Sequence, residues 1–314
     1  MKRGKVICIG DAVVDVLVAH LPPNFLEHDV TDVQSIQYET GGDAANEAVI
    51  LSRLGHQSSL ISMIGQDMLG DFVLSRMKEN HVDTRFIIRP DQIQTTTSLV
   101  LIHENGERNF VANRGGNAYF KNEYVNLDAL QNADVISIAS FFTNQAFDDA
   151  LPDILKQAKQ IGAMTTGDML YREGYTLEKA KDYLHYFDFV FPNYEEAAQV
   201  TQKKELGDIA SEFQAHGVKN VIIKIGARGC YIQTASESFI VPAYQGATMV
   251  DSTGAGDNFA AGFIAALIEG KTIREAAAYA NAAAAVSIQS IGALGLQNRQ
   301  QVMDMMKNEW RQPL

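Results

Sequence analysis

"DSTGAGDNFAAGF", residues 251–263, sets two glycines, an alanine and a carboxylate directly before a run that is almost wholly apolar. Small residues at 254–256 let a backbone approach a ligand closely, and amides at the start of a helix have no intrahelical partner. With the positive end of the helix dipole they make an anion pocket. Asp257 at the mouth of that pocket would repel a phosphate, so its presence needs a reason. Accepting the proton of an attacking hydroxyl is one. Capping is another, since helices favour acids in the first turn, although Ser252 and Thr253 would cap equally well. The helix that follows, with Phe259, Phe263, Ile264 and Leu267, is apolar nearly all round. Such a helix is buried, which holds its N-terminus rigidly.

Upstream, apolar β-type runs occur at "KVICIGD" (5–11), "SSLISMIG" (58–65), "DVISIASFF" (134–142), "FDFVFPN" (187–193) and "NVIIKIG" (220–226). Segments with helical spacing lie between most of them, such as "DFVLSRMKEN" (71–80) and "ALPDILKQAKQIG" (150–162). Continuous apolar strands alternating with helices predict βαβ units and a parallel sheet covered on both faces. Two stretches break this pattern, "VQSIQYETGG" (33–42) and "TTTSLVLIHENGERNFVANRGG" (95–116), which alternate apolar and polar residues. The second contains Asn105-Gly106, a strong hairpin signal. A small antiparallel sheet standing off the main one is expected, either as decoration or as a lid over the carboxyl ends of the parallel strands.

The bulk numbers fit one folded unit. The chain has 314 residues, 46% of them apolar and 20% charged, and we read it as a single domain over 1–314 with lid strands inserted at about 13–41 and 95–116. A net charge of −12 argues against nucleic acid or an anionic membrane as partner, because phosphate contacts need surplus Lys and Arg. Cys8 and Cys230 each sit in an apolar run, which disfavours a disulfide framework and suits a reducing cytoplasm. No run reaches the roughly 18 apolar residues of a membrane helix. "EGKT" (269–272) ends like a Walker loop, but Ala265 stands where its first glycine is needed, and "CIGDAVVD" replaces any GxGxxG after the first strand.

At this point the motifs resemble a known family. "DSTGAGDNFAAGF" resembles the C-terminal signature of the ribokinase-type (phosphofructokinase-B-type) carbohydrate kinases, and "GGDAANEAVILSRLG" (41–55) resembles their N-terminal one. The resemblance spans essentially the whole chain. It implies a three-layer α/β/α doubly wound, mostly parallel sheet with a small antiparallel lid, and transfer of the γ-phosphoryl group of ATP, with Mg²⁺, to a hydroxymethyl group of a sugar, keto-sugar or sugar acid. By position, Asp257 would be the general base and the backbone of Gly254, Ala255 and Gly256 the anion hole. "PNYEEA" (192–197) would supply Asn193 as a nucleotide contact and Glu196 as an organiser of Mg²⁺ through water. "KIGARG" (224–229) matches the nucleotide loop, giving Lys224, Gly226 and Gly229, with Lys224 replacing a commoner Thr or Ser. Asn281 falls on the adenine side. A monovalent-cation loop, expected to take K⁺, maps to Asp251, Thr253, Ser287, Ser290 and Gly292, with Ser252 and Leu296 as departures.

On the sugar side the resemblance points to Asp15, Gly42, Asp43 and Asn46. Carboxylates and an amide bind vicinal hydroxyls in pairs, and glycine admits the ring. Asp43 departs from the small residue or Lys of several relatives. Glu47 reads as a first-turn acid and Glu195 as a solvated one. Arg108, Arg114 and Arg172 could turn toward the sugar and hold an anionic substrate; keto-acid sugar kinases of the family use an Arg after an Asp similar to Asp168. Two rivals stand beside the sugar kinase. A nucleoside kinase would stack a base on Tyr38 or Phe110, and a noncatalytic sensor on the same fold would not need Asp257, Asn193 and Glu196 together. The alternating lid strands could form an interface with the lid of a second copy, and a homodimer of that kind would be a common outcome for such a family.

Overall fold

The computed structural model describes residues 3–22, 24–103 and 108–308. Asn105-Gly106 lies outside the described residues, as does the side chain of Arg108. In chain order the first half holds β1 (Lys5–Ile9), β2 (Val13–Leu21), β3 (Ser35–Gly41), α1 (Asp43–Arg53), β4 (Gln57–Ile61), α2 (Met68–Glu79), β5 (Thr97–His103), β6 (Arg108–Asn113), β7 (Val135–Phe141), α3 (Gln145–Asp148) and α4 (Leu151–Gln160). The second half holds β8 (Met164–Met169), α5 (Lys181–Leu184), β9 (Phe189–Val190), α6 (Tyr194–Thr201), α7 (Leu206–Ala215), β10 (Asn220–Lys224), β11 (Cys230–Gln233), β12 (Ser238–Val241), α8 (Ala255–Ile268), α9 (Ile273–Ser287) and α10 (Arg299–Met305).

The main sheet runs β12-β11-β10-β9-β8-β7-β1-β4. Its strands from β4 to β10 pair in parallel, and β11 and β12 turn back antiparallel at one edge. Alternate residues of a strand point to opposite faces, and β1 shows both layers at once. Val6 and Cys8 join a core with α1, α8 and α9, whereas Ile7 and Ile9 join one with α4 and α7. Both cysteines are buried and unpaired, inside the apolar runs that carry them. The chain leaves β1 toward β4 on one side and reaches β7 on the other, so the topological switch point lies at the carboxyl end of β1.

Sequence patterning missed β8. Its residues, "MTTGDM", lack an apolar run, yet Thr165, Thr166 and Asp168 are all buried. The polar end of this strand serves the cleft above it. "EGKT" is a helix junction in the structure: Thr272 caps α9 in a reciprocal capping box with Glu275.

The second sheet runs β3-β2-β5-β6. Its outer pairs are antiparallel, as expected, but its central pair, β2 and β5, is parallel. The long excursion through β3, α1, β4 and α2 between them makes this possible, since a parallel pair needs a crossover of a dozen or more residues. Ile36, Tyr38, Leu99, Phe110 and Val111 of this sheet are exposed. The strand register puts Tyr38 and Val111 on one face with Leu99, and Phe110 on the other with Val100 and Leu17.

α8 is fixed by packing. Phe263 meets Phe191 at 5.2 Å and Phe189 at 5.6 Å between ring centroids, and both Phe259 and Phe263 are buried. Burying each such ring is worth roughly 1.5–3 kcal/mol. No helix among the described residues is long and apolar enough to cross a membrane.

Candidate active site

The start of α8 is set by Gly254, whose φ of 70° is left-handed. A Cβ there would lie 2.6 Å from the Cα of Ala293, so no other residue fits. Gly254 is the N-cap and offers no side-chain cap; Ser252 is exposed, and the Thr253 hydroxyl turns to Asp251 at 2.8 Å. The expected serine or threonine cap is therefore absent. The amide of Ala255 is already taken by the Ser252 carbonyl at 3.2 Å, which removes it from the anion hole expected over 254–256. The amides of Gly254, Gly256 and Asp257 have no acceptor among the described residues.

Asp257 is buried at the third helical position, and its Oδ2 accepts a 2.7 Å hydrogen bond from Nδ2 of Asn46 on α1. Its carboxylate thus turns across the cleft to the opposite helix and not to its own N-terminus. Burial, and then the Asp43 charge, push its pKa well above the usual carboxylate range, against the pull of the Asn46 hydrogen bond. A base raised toward working pH transfers protons more efficiently.

α1 presents Asp43, Asn46 and Glu47 on one face, as three- and four-residue spacings require. Asp43 accepts a hydrogen bond from Ser140 of β7, and Glu47 accepts one from Ser137 at 2.6 Å. Glu47 is not the first-turn acid read from sequence: α1 begins at Asp43, so Glu47 lies in its second turn, where it is 1% exposed and burial raises its pKa to about 8. Gly42 at the start of α1 has φ 90°, and a Cβ would sit 2.5 Å from the Asp11 carbonyl oxygen. Backbone packing, more than room for a sugar ring, accounts for this glycine. Asp15 faces the same region, its pKa raised to about 6 by burial and the Asp43 and Glu39 charges. Sequence reasoning passed over Asp11, which follows β1 at the switch point; burial and Asp43 raise its pKa to about 7. Its position directly after the first strand was the available signal.

At the carboxyl ends of β8 and β10, Lys224 forms an ion pair with Asp168 across the end of the two-residue strand β9. Asn193 and Glu196 form a capping box at α6, with Oδ1 of Asn193 accepting from the Glu196 amide at 2.8 Å. Burial and the Asp168 charge raise Glu196 to about 7. Next to Lys224 lies a cavity of about 240 Å³, lined by Gly226, Gly229, Tyr244, Met249, Asn281 and Ile288 among others. Its mostly apolar wall and size suit a flat heterocycle. Asn281 lines it, but its Nδ2 donates to the Val241 and Pro242 carbonyls at 2.9 and 3.1 Å, tying α9 to β12.

The proposed cation loop is held by its own donors. Oδ1 of Asp251 accepts from the Thr253 amide and hydroxyl, and Oδ2 accepts from the Gly292 amide at 2.9 Å. The Ser287 hydroxyl donates to Ala284 within its helix, and Ser290 follows one turn on. Arg172 is half-buried, with Nε and one Nη buried and without a hydrogen-bond partner. Arg114 is exposed, and its charge lowers the pKa of Asp11.

The profile of the "pfkB family carbohydrate kinase" matches residues 3–299. Over 262 residues the chain is 28% identical to a ribokinase of Staphylococcus aureus, covering 81% of this chain and 83% of that protein. A ribokinase of Bacillus subtilis is 28% identical over 286 residues, 87% of this chain and 89% of the relative. Among solved structures, Arabidopsis thaliana ribokinase complexed with ribose and ATP matches with a TM-score of 0.86 at 23% identity, over 98% of this chain and all (100%) of the other. Thermotoga maritima ribokinase matches with 0.82 at 24%, over 98% and 100%.

Proposed function

The chain belongs to the pfkB family of carbohydrate kinases, and from that premise we propose that it moves the γ-phosphoryl group of ATP to a hydroxymethyl oxygen of a sugar, keto-sugar or sugar acid, with Asp257 as the base. The observation that carries this reading is the buried Asp257 carboxylate, held by Asn46 beside the free amides of Gly256 and Asp257. The adenine fits the apolar cavity beside Gly226 and Asn281, and the phosphates run toward the start of α8. The sugar lies on the side of Asp11, Asp15 and Asp43, beneath the small sheet acting as lid. Its hydroxyl attacks phosphorus and the bond to the β-phosphate oxygen breaks. The hydroxyl proton passes to Asp257, and the amides at the helix start stabilise charge on the transferring group. Glu196 is a half-buried oxygen donor of the type Mg²⁺ takes, here through water, and the metal would neutralise charge across the β- and γ-phosphates.

The buried, unpartnered guanidinium atoms of Arg172 favour an anionic group on the substrate, since a cation without an acceptor is costly to bury. Tyr38 and Phe110 occupy opposite faces of their sheet, so a nucleoside base could stack on only one of them. Potassium belongs to the same proposal, with backbone carbonyls of the 251–292 loop as its donors, because the Asp251 and Ser287 side chains are engaged within it. Measuring ADP release with Mg²⁺-ATP against a panel of neutral sugars, sugar acids and nucleosides, with and without K⁺, tests these assignments. Turnover of nucleosides alone, or of nothing, overturns them.

A further inference from the structure

Lys224 is a buried ammonium in an acidic cleft. Its side chain is 16% exposed and pairs with Asp168, itself 8% exposed. The charges of Asp168, Glu196 and Asp257 all act on it, and it acts in turn on Asp43 and Glu47. One cation among five carboxylates is a poor arrangement for receiving a triphosphate, unless that cation can be redirected. The geometry allows it. Lys224 reaches from β10 to Asp168 on β8 past residues 191–193, which continue β9 between the two strands, and its Nζ lies only 3.0 Å from where a Cβ on Gly256 would be. Gly256 carries one of the free amides at the start of α8. Lys224 also lines both the apolar nucleotide cavity and the cleft beside Asn193 and Arg228, so it stands where the two meet.

We infer that Lys224 is a catalytic ligand of the transferring phosphoryl group, parked on Asp168 in the free protein and shared with the γ-phosphate when ATP binds. This rests on the kinase reading above and deepens it. The ammonium keeps its protons throughout: the sugar oxygen forms the new bond to phosphorus, the bridging electron pair leaves with ADP, and the hydroxyl proton goes to Asp257. Lys224 contributes charge at the equatorial oxygens, alongside the Gly256 and Asp257 amides. A Cβ at position 256 would press on its Nζ, and this contact is a reason for glycine there, since the helical backbone of Gly256 requires none.

The test uses Lys224→Met and, because that change strands the buried Asp168 charge, the double variant Lys224→Met/Asp168→Asn as a foldable control. Removing one preorganised donor to a developing charge costs about 10²- to 10³-fold in kcat, and that loss is expected in the double variant with the sugar KM within about threefold. Calorimetric titration separates ligation from scaffolding: affinity for a nonhydrolysable ATP analogue should fall at least about tenfold, and for ADP less than about threefold, since only the former presents a γ-phosphate. Lys224→Cys alkylated with 2-bromoethylamine should recover at least about tenfold of the lost kcat, and the native thiols Cys8 and Cys230 are buried away from the reagent. A double variant that keeps kcat within about threefold, or loses ATP-analogue and ADP affinity equally, overturns the inference. Failure of the wild-type protein to phosphorylate any sugar would instead defeat the kinase reading, so the two failures are distinguishable.

Discussion

Replacing Asp257 with asparagine removes the proton acceptor while keeping nearly the same shape. In the structure its Oδ2 receives the Asn46 amide at 2.7 Å, and an asparagine oxygen can receive the same donor. The effect on folding is therefore small: a charge-assisted hydrogen bond becomes a neutral one, at about 1 kcal/mol, while the burial of charge and the Asp43 repulsion that raise the Asp257 pKa are relieved. The catalytic cost is of another size. General-base assistance is worth about 10²- to 10⁴-fold, or roughly 2.7 to 5.4 kcal/mol of barrier at about 1.36 kcal/mol per tenfold. Asp257→Asn should lose at least about a hundredfold in kcat, with ATP-analogue affinity nearly intact and a melting temperature close to the parent's. Asp257→Ala separates the two effects further. It leaves Nδ2 of Asn46 buried without an acceptor, beside an Oδ1 that already lacks a partner, at about 1–3 kcal/mol of stability. The assay is coupled ADP release on the best sugar of the panel, with calorimetry for nucleotide binding. An Asp257→Asn enzyme that kept more than about a tenth of its turnover would refute the base assignment, whatever its stability.

Four other outcomes follow from named contacts. Gly254→Ala forces a left-handed φ and a clash with Ala293, so it should lose about 1–2 kcal/mol or more of stability along with kcat, read by thermal melting and ADP release. Glu47 has a folded pKa of about 8 against an ordinary 4.5, so the folded state retains a proton that the unfolded chain has released. Its contribution to stability is complete below about 4.5 and is lost as pH rises through about 8; Glu47→Gln should therefore flatten the fall in melting temperature between about pH 4.5 and pH 8, and parallel curves for parent and variant would contradict this. Arg172→Ala should raise KM for sugar acids by about tenfold or more and spare neutral sugars, and equal parental activity on both substrate classes would remove that role. The exposed Ile36, Tyr38, Leu99 and Val111 share one face of the small sheet and support a dimer through it, so sedimentation should show two copies for the parent and one for Val111→Glu.

The amino-acid sequence was enough for the main layers and for the chemistry at the start of α8. Strands such as β1, β7 and β10 are continuous apolar runs because both their faces are buried, and that pattern needs no partner to be seen. The run from Gly254 to Asp257 was legible for a similar reason, since small residues and an acid before an apolar helix are a local signal. Everything that depends on two distant segments meeting had to wait for the tertiary structure. β8 was hidden because its buried residues are polar, and only tertiary contacts explain two of them: Asp168 pairs with Lys224, and the Thr165 hydroxyl donates to the Tyr186 carbonyl. The burial of Glu47 against Ser137, the hydrogen bond from Asn46 to Asp257 over 211 positions of chain, and the parallel pairing of β2 with β5 are likewise set by packing and chain direction. Periodicity reports how a residue relates to its own helix or strand. Which carboxylates share one dry cleft, and how far that raises their pKa values, depends on where the helices and strands come to rest against each other.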